Sequence, residues 1–273
     1  MKYNNFAGRT DTVLIEESKI KRFWECIARG EKMNIALIIA GGSGQRMHQN
    51  IPKQFLTVNE KPVIVYTLQA FQNHPDIDAI AVVCISGWEQ VLQAYADQFN
   101  VTKLKYIIPG GKNGQDSIRN GVYELEKHFQ KEDVVLIHDA IRPMVSNEII
   151  SDCIVKTRQY GCAIATIPCA EAMLETSDGI VSTGSYPRDR LKRTQTPQGF
   201  LLGDICNLHR EALRKGITNS VASCTLIVEM GKQVYFSAGS EKNIKLTTVE
   251  DIDIFKALLI AKRSDWLKLL LLN

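Results

Sequence analysis

The sequence lacks several patterns that would assign it at once to a well-defined class. Its 273 residues include seven cysteines, an odd number without a C-x-x-C pair, which argues against a disulfide framework or a zinc site. The net charge of +3 is too small to indicate a nucleic-acid surface. No segment has the length of an apolar membrane-spanning helix, and residues 1–32 lack the apolar core of a signal peptide. We therefore expect a cytoplasmic protein that binds neither nucleic acid nor membrane.

The chain also lacks the two most familiar phosphate-binding motifs. It has no P-loop, and the dinucleotide fingerprint would need a third glycine where Met47 stands. What is present is a glycine-rich loop after an apolar run: residues 40–47 read AGGSGQRM, and residues 52–55 read PKQF. Such a loop leaves backbone N–H groups free to approach phosphate oxygens, and it adds Arg46 and Lys53. The pattern predicts a cradle for a nucleoside triphosphate rather than a tight turn with two solvated basic residues.

Apolar runs that predict buried strands alternate with segments of helical spacing over the first two thirds of the chain. Strands are predicted at residues 35–39, 79–85, 104–108, 133–137 and 163–168, and helices at 62–74, 88–99, 116–129 and 147–160. Fully apolar strands between helices are typical of a parallel sheet that is covered on both faces. We therefore predict an α/β fold with a mostly parallel sheet and helices on both faces.

The pattern changes beyond the last of these strands. Residues 169–193 are polar and contain glycine, which predicts a protruding β-arm with a turn at residues 177–179. Further helices are predicted at 202–214 and 221–230, strands at 234–237 and 244–246, and a long final helix after a capping box at 248–251. Residues 11–29 could form an amphipathic helix. We expect the main domain to span residues 33–273, with residues 1–32 as either an accessory helix or a non-native leader.

Other candidate sites also lie at predicted strand ends, where open α/β sheets bind ligands. Residues 109–117, PGGKNGQDS, follow a strand and open a helix, so the glycines permit close approach of a base or ribose, and Ser117 can donate a hydrogen bond. Residues 137–143, IHDAIRP, place Asp139 at the end of a buried strand and Arg142 three residues later. The carboxylate can bind a ribose hydroxyl or magnesium and the arginine a phosphate; alternatively, the two side chains pair with each other.

Further polar residues are uninformative when taken singly. His138 is expected to be a satisfied core residue rather than a ligand. Arg188 and Lys245 would ordinarily be read as solvated side chains, and Thr196 identifies nothing by itself. With the other sites in place, they could bind a second, phosphate-bearing substrate. No Cys/His or Ser/His pattern for nucleophilic catalysis is present, which suits a reaction that needs no protein nucleophile.

Taken together and in order, these motifs resemble those of the cytidylyltransferases that act on polyol phosphates. That group includes the enzymes for 2-C-methyl-D-erythritol 4-phosphate and for ribitol 5-phosphate. The resemblance extends from about residue 33 to the final helix. Its motifs are residues 40–47, 52–55, 110–111, 117, 138–143, 195–198 and 243–245.

The resemblance implies a Rossmann-like nucleotidyltransferase fold and transfer of CMP from CTP to a polyol phosphate, with Mg²⁺ as cofactor. It implies a homodimer whose arm, residues 169–193, reaches the partner's site. In this interpretation, Arg46 and Lys53 stabilise the transition state. CTP is bound by Ala40, Gly41, Gly42, Gly44, Gly111, Lys112, Ser117, Asp139 and Ala140, with Asp139 as the residue that could contact magnesium. The acceptor is bound by Arg142, Arg188, Thr196 and Lys245.

The chain departs from the family pattern at three places. Gly114 stands where relatives usually carry an arginine, residues 171–172 read EA instead of an Asp-Thr pair, and residues 221–223 read VAS instead of an acidic segment. Details of the loops slightly favour ribitol 5-phosphate over 2-C-methyl-D-erythritol 4-phosphate as the acceptor. Two other classes stay open at this point. They are an NAD-linked dehydrogenase and a catalytically inactive CTP-binding relative that has lost acceptor binding.

Overall fold

A seven-stranded sheet organises the residues that the computed structural model describes, which are 30–42 and 51–270, with side chains up to residue 261. The strands are β1 (Asn34–Ala40), β2 (Thr57–Val58), β3 (Lys61–Pro62), β4 (Ala79–Cys84), β5 (Leu104–Pro109), β6 (Val134–Asp139), β7 (Cys162–Pro168), β8 (Met173–Glu175), β9 (Gly184–Tyr186), β10 (Lys192–Leu201) and β11 (Phe236–Ala238). The helices are α1 (Val63–Gln72), α2 (Glu89–Gln98), α3 (Gly114–Glu126), α4 (Asn147–Tyr160), α5 (Leu202–Arg214), α6 (Ser223–Glu229) and α7 (Val249–Leu270). The helix predicted at residues 11–29 lies outside the described residues.

The sheet has the strand order β11-β7-β10-β6-β1-β4-β5, and β10 is antiparallel to both of its neighbours while the other pairs are parallel. Alternate residues of β1 point to opposite faces, where they join two separate apolar clusters. Ile38 packs with α1, α2 and α4, whereas Leu37 packs with α3, α5 and α6. The prediction of a mostly parallel sheet with helices on both faces is therefore confirmed.

Most predicted elements are confirmed within a few residues, and three differ. The strand predicted at residues 244–246 is wrong, because this segment makes a single backbone bond, from Leu246 N to Ile141 O at 2.9 Å, and no ladder. The helix predicted from residue 221 begins at Ser223, and the strand predicted at 234–237 is displaced to β11. Leu246 nevertheless is buried, since it packs with Phe255 of α7 in a third apolar cluster.

The strand β10 has no counterpart among the predicted elements. Its sequence, KRTQTPQGFL, combines polar residues with a proline, which in a sheet is usual only at edges and bulges. Here Pro197 falls where the pairing with β7 shifts register, between Thr194 and Gln198. The buried amide of Gln198 is satisfied because it donates to Gln195 O and accepts from Cys224 N. Hydrogen bonds to residues distant in the chain therefore stabilise β10 as a strand, although its local sequence does not predict one.

The predicted arm is a hairpin of β8 and β9 that stands apart from the main sheet. Its turn is where the sequence placed it: Asp178 Oδ1 accepts hydrogen bonds from Ile180 N and Val181 N, and Gly179 has a φ of +74°. The large apolar side chains of the arm are exposed. They are Met173, Leu174, Ile180, Val181 and Tyr186.

In the part of the chain that the structure describes, no helix combines the length and the apolar character that crossing a bilayer requires. The six cysteines in this part carry unpaired thiols, and all but Cys162 are buried. These observations agree with the interpretation of the cysteines as small core residues.

Acid should destabilise the fold through His209 of α5. This side chain is buried, and neither ring nitrogen has a hydrogen-bond partner among the described residues. Burial lowers the pKa of His209 from 6.5 to about 4. Between pH 6.5 and pH 4, His209 is therefore protonated in the unfolded chain but neutral in the folded chain. The free energy of unfolding falls over this range, and His209 contributes about 3 kcal/mol to the loss.

The measurement is urea unfolding at pH 7 and pH 5. We expect His209→Leu to lose less stability between these pH values than the wild type. The buried Ile205 of the same helix gives the control Ile205→Val, which changes no titratable group and should keep a slope close to that of the wild type. An identical acid sensitivity of His209→Leu and the wild type would contradict this assignment.

Candidate active site

The carboxyl ends of β1, β5 and β6 meet at one edge of the sheet and border a cavity of about 500 Å³. Most of the residues that the sequence singled out for nucleotide binding and catalysis line it together. They are Ala40, Gly41, Gly42, Lys53, Gly111, Lys112, Ser117, Asp139 and Ala140. Lys245, which the sequence assigned to the acceptor, lines the same cavity. Gly44 and Arg46 lie outside the described residues. Residues as far apart in the chain as Ala40 and Lys245 are thus brought to one cavity at the carboxyl edge of the sheet.

The backbone around Lys53 is held by its neighbours. Lys53–Phe55 form a short 3₁₀ turn in which Phe55 is buried and stacks on Trp88, with ring centroids 4.6 Å apart. The buried Gln54 donates from Nε2 to Ala40 O at 2.7 Å and to Gly42 O at 3.1 Å. The turn and the glycine loop are therefore tied together. Sequence reasoning missed Gln54, although its position between a candidate catalytic lysine and an apolar residue was the available signal.

The second glycine loop is closed by its own side chains. Asn113 caps α3 because its Oδ1 accepts from Asp116 N at 2.8 Å. The Ser117 hydroxyl accepts from Gly111 N and donates to Asn113 O, both at 2.9 Å. Its hydrogen is therefore used within the loop, and only a lone pair is left for a ligand. The helix begins at Gly114, two residues earlier than predicted, and the Asn113-x-x-Asp116 capping pattern was the overlooked signal.

Gly111→Ala should damage this loop. A Cβ at residue 111 would lie 2.4 Å from Asp116 Cβ and 2.7 Å from Ser117 N, distances at which atoms overlap. We expect a lower melting temperature and at least a tenfold weaker affinity for the nucleotide, since the backbone must move away from its present path. Gly114→Ala is the matched control for stability, because a Cβ there meets nothing within 4 Å. Equal melting temperatures for the two variants would contradict this account.

Asp139 pairs with two cations at the wall of this cavity. Its Oδ2 lies 2.9 Å from Arg142 Nε, and both carboxylate oxygens lie 3.2 Å from Lys245 Nζ. Burial works against the charged form, but the attraction of Lys245 and Arg142 outweighs it and lowers the pKa of Asp139 below 3.8. The pairing of Asp139 with Arg142 that the sequence left open is thus observed. Arg142 also donates to Asn243 O at 2.8 Å.

A smaller cavity of about 280 Å³ adjoins the first, and Gly114, Asp139 and Lys245 line both. Arg142 and Thr196, which the sequence assigned to the acceptor, line this second cavity. It also includes Val221, Ala222 and Ser223, the segment that departs from the family pattern. Two of the three departures, Gly114 and residues 221–223, therefore meet at one cavity.

Arg188 is the one described acceptor candidate that lines neither cavity. It lies in a 3₁₀ turn of the arm, Arg188–Arg190, where it is exposed and donates to Ala170 O at 3.0 Å. Within its own chain, Arg188 is therefore not brought together with the other candidates.

His138 is fully buried, as the sequence interpretation expected. Its Nε2 lies 3.2 Å from Arg142 O, and its Nδ1 lies 3.0 Å from Thr196 Oγ1. Burial lowers the pKa of His138 to about 4. The ring is therefore neutral near pH 7 and satisfied by two hydrogen bonds.

The described residues contain no group of three or more histidine, cysteine, aspartate or glutamate side chains that could hold a metal ion. Asp139 is the only carboxylate among the described residues that line the two cavities. Its Oδ1 has a single contact, to Lys245, and so keeps a lone pair. One carboxylate oxygen beside a phosphate cradle suits Mg²⁺, which commonly takes one or two carboxylates, water and substrate phosphates.

The chain is similar to known cytidylyltransferases over most of its length. The family model for 2-C-methyl-D-erythritol 4-phosphate cytidylyltransferase matches residues 34–261. The chain is 41% identical over 232 residues to the ribitol-5-phosphate cytidylyltransferase of Lacticaseibacillus paracasei, with 84% of this chain and 99% of that protein covered. It is 39% identical over 221 residues to the 2-C-methyl-D-erythritol 4-phosphate cytidylyltransferase of Clostridium botulinum, with 80% and 94% covered.

The fold agrees with solved structures. The 2-C-methyl-D-erythritol 4-phosphate cytidylyltransferase of Francisella tularensis matches with a TM-score of 0.70 and 25% identity, over 82% of this chain and 98% of that one. The corresponding protein of Anaerococcus prevotii, a 4-diphosphocytidyl-2C-methyl-D-erythritol synthase, matches with a TM-score of 0.71 at 24% identity, over 84% and 98%. The sheet order and these structural matches define an α/β nucleotidyltransferase fold. With the sequence matches above, the chain belongs to the 2-C-methyl-D-erythritol 4-phosphate cytidylyltransferase family. This membership confirms the resemblance and excludes the dehydrogenase alternative.

Proposed function

We propose that the protein transfers CMP from CTP to ribitol 5-phosphate, giving a CDP-polyol and pyrophosphate. The observation that carries this proposal is the gathering of residues 40–42, residues 111–114, Lys53 and the Asp139–Lys245 pair around one cavity, with a smaller cavity beside it. The larger cavity suits the nucleotide and the smaller one the acceptor. The identity to a ribitol-5-phosphate enzyme, slightly above that to an enzyme for 2-C-methyl-D-erythritol 4-phosphate, supports the choice of acceptor.

The reaction is an in-line displacement at the α-phosphorus of CTP. An oxygen of the acceptor phosphate forms the new P–O bond, and the bond to the bridging oxygen of the β-phosphate breaks, so pyrophosphate leaves with that electron pair. The acceptor phosphate is already ionised at neutral pH, so no protein base or nucleophile is needed. The barrier comes from bringing two anions together, and fixed positive groups lower it as charge builds on the leaving group.

Lys53, Lys245 and Asp139 bind and orient the two substrates in this step. Lys53, with Arg46 by resemblance, neutralises the triphosphate. The backbone at Gly41 and Gly111, which carry no side chain, lets the nucleotide approach closely, although the Gly111 N–H itself donates to Ser117 Oγ. Lys245, oriented by Asp139, attracts the acceptor phosphate into the space where both cavities meet. Asp139 is the residue that would hold Mg²⁺, and the ion would supply further positive charge beside the triphosphate.

We also propose that the protein works as a homodimer in the cytoplasm. The unpaired thiols suit a reducing compartment. The arm exposes five large apolar side chains on a two-stranded hairpin. Because contact between apolar surface and water is unfavourable, we expect a partner subunit to cover this patch. Because Arg188 sits on this arm and away from the cavities of its own chain, we assign it to the acceptor site of the partner.

Mixing two inactive variants tests this assignment. Arg188→Ala and Lys53→Ala should each be nearly inactive. If Arg188 acts across the dimer, random exchange leaves one intact site in each mixed dimer, which restores about a quarter of wild-type activity. The activity is measured as pyrophosphate release after co-refolding the two variants. A mixture as inactive as its components would contradict exchange of the arm.

The proposed reaction is tested by pyrophosphate release with CTP and a panel of acceptors: ribitol 5-phosphate, 2-C-methyl-D-erythritol 4-phosphate and other polyol phosphates. We expect the highest kcat/KM with ribitol 5-phosphate. Preference for 2-C-methyl-D-erythritol 4-phosphate would overturn the acceptor but retain the reaction. CTP binding without release on any acceptor would instead favour the inactive relative, with acceptor binding lost through the departures near Ala172 and Ala222.

A further inference from the structure

The hydrogen positions around His138 follow from its two neighbours. Nε2 faces the carbonyl oxygen of Arg142 at 3.2 Å, and because a carbonyl only accepts, Nε2 carries the hydrogen. The Thr196 hydroxyl already accepts from Asp139 N, and among the described residues Nδ1 is the one acceptor within hydrogen-bond distance of its hydrogen, so Nδ1 acts as an acceptor. The Thr196 hydroxyl, 3.0 Å from Nδ1, therefore donates to the ring. His138 thus fixes a hydroxyl that would otherwise rotate.

The fixed hydroxyl then turns a lone pair towards the backbone of Asp139. Thr196 Oγ1 lies 3.0 Å from Asp139 N and accepts its hydrogen. This bond stands where the sheet offers no alternative, because the β10–β6 ladder ends at the pair Gln198 and Ile137. Asn243 Nδ2 donates to Thr196 O at 2.8 Å and so holds the threonine from the other side. A side-chain hydroxyl therefore takes the place of a ladder hydrogen bond at the residue that carries the carboxylate.

We propose that His138 is a positioning residue for Asp139 and acts through the hydroxyl of Thr196. The path runs from His138 Nδ1 to Thr196 Oγ1, then to Asp139 N, and from the Asp139 carboxylate to Lys245 and Arg142. Each link is a hydrogen bond or ion pair of 2.9–3.2 Å. The catalytic meaning of this path rests on the proposed function, since Lys245 is there assigned to the acceptor phosphate. The hydrogen-bond geometry does not depend on it.

Two substitutions remove the path at different links. Thr196→Val keeps the shape of the side chain but lacks the hydroxyl, and His138→Gln places its polar atoms one bond beyond the position of Nδ1. We expect each to lower kcat/KM for the polyol phosphate by about tenfold or more, with melting temperatures measured alongside. His138→Asn should retain more activity than His138→Gln, because Asn Oδ1 is as many bonds from Cα as Nδ1 is. Thr102→Val, which loses one hydrogen bond with Gln72 on another edge, is the matched control with wild-type activity.

The double variant separates positioning from packing. If His138 acts through Thr196, the kcat/KM of the double variant H138Q/T196V should lie within about twofold of that of the less active single variant. Losses that multiply, or wild-type kcat/KM in Thr196→Val, would overturn the proposal. The recovery of activity in His138→Asn and Thr196→Ser, relative to His138→Gln and Thr196→Val, gives a readout that simple loss of packing would not produce.

A second measurement needs no turnover and so distinguishes failure of this proposal from failure of the proposed function. In ¹⁵N-histidine NMR of the wild type at pH 7, His138 should carry its hydrogen on Nε2, with Nδ1 unprotonated and hydrogen-bonded. Thr196→Val should shift the Nδ1 resonance to that of a free acceptor. A hydrogen on Nδ1, or a resonance that Thr196→Val leaves unmoved, would overturn the proposal even if the acceptor panel identifies the substrate.

Discussion

Lys53→Ala will lower kcat by about 10²–10³-fold, while the dissociation constant for CTP changes far less. The nucleotide keeps its backbone contacts with the glycine loops. The variant loses the positive charge that stabilises the growing negative charge on the leaving pyrophosphate. The fold should survive, because Phe55 and Gln54 hold the turn around residue 53. Single-turnover kinetics and CTP titration by calorimetry measure the two quantities separately.

The control for this variant is Lys127→Ala. Lys127 lies just beyond the far end of α3 and pairs with Glu124 on the exposed surface, so its removal should leave both quantities unchanged. Near-normal turnover of Lys53→Ala would remove Lys53 from its catalytic role. By resemblance the same split between kcat and affinity is expected for Arg46→Ala.

Asp139→Asn will have the second largest effect. The carboxylate stands between Arg142 and Lys245, and a neutral amide of the same size leaves the largely buried Arg142 and the exposed Lys245 without their counter-charge. We expect a stability loss on the order of 3 kcal/mol and a fall in kcat of about 10²-fold, because Lys245 is no longer oriented. Thermal unfolding and pyrophosphate release measure the two effects.

Asp253→Asn is the matched control for that experiment. Asp253 also contacts a lysine, Lys256 at 3.1 Å, but both side chains are exposed. Its stability should change by less than about 0.5 kcal/mol, with turnover unaffected. If Asp139→Asn were as mild as Asp253→Asn, the Asp139 carboxylate would not be the anchor of Lys245.

The parallel part of the fold could be predicted because its signals are local. The strands β1, β4 and β6 are mainly apolar runs between amphipathic helices, so the sequence of each strand by itself indicates that the strand is buried. The same holds for the turn of the arm, where Asp178 and Gly179 have the side chain and the backbone freedom that the turn needs. Local pattern and tertiary structure agree at these places.

The rest could not be predicted because its causes are distant in the chain. β10 is a strand only because β6 and β7 flank it and Gln198 finds buried partners. The cluster at residues 138–142 was correctly located at the sheet edge, but its network depends on Thr196 and Asn243, which are more than 50 residues away. Helical or strand periodicity carries no information on such pairings.

The most direct test of the central claim is a crystal structure with bound CTP. The account predicts that the triphosphate lies against Gly41, Gly42 and Gly111, with Lys53 Nζ within hydrogen-bond distance of an α-phosphate oxygen. A nucleotide bound outside this cavity, or a Lys53 side chain turned away from the α-phosphate, would contradict it.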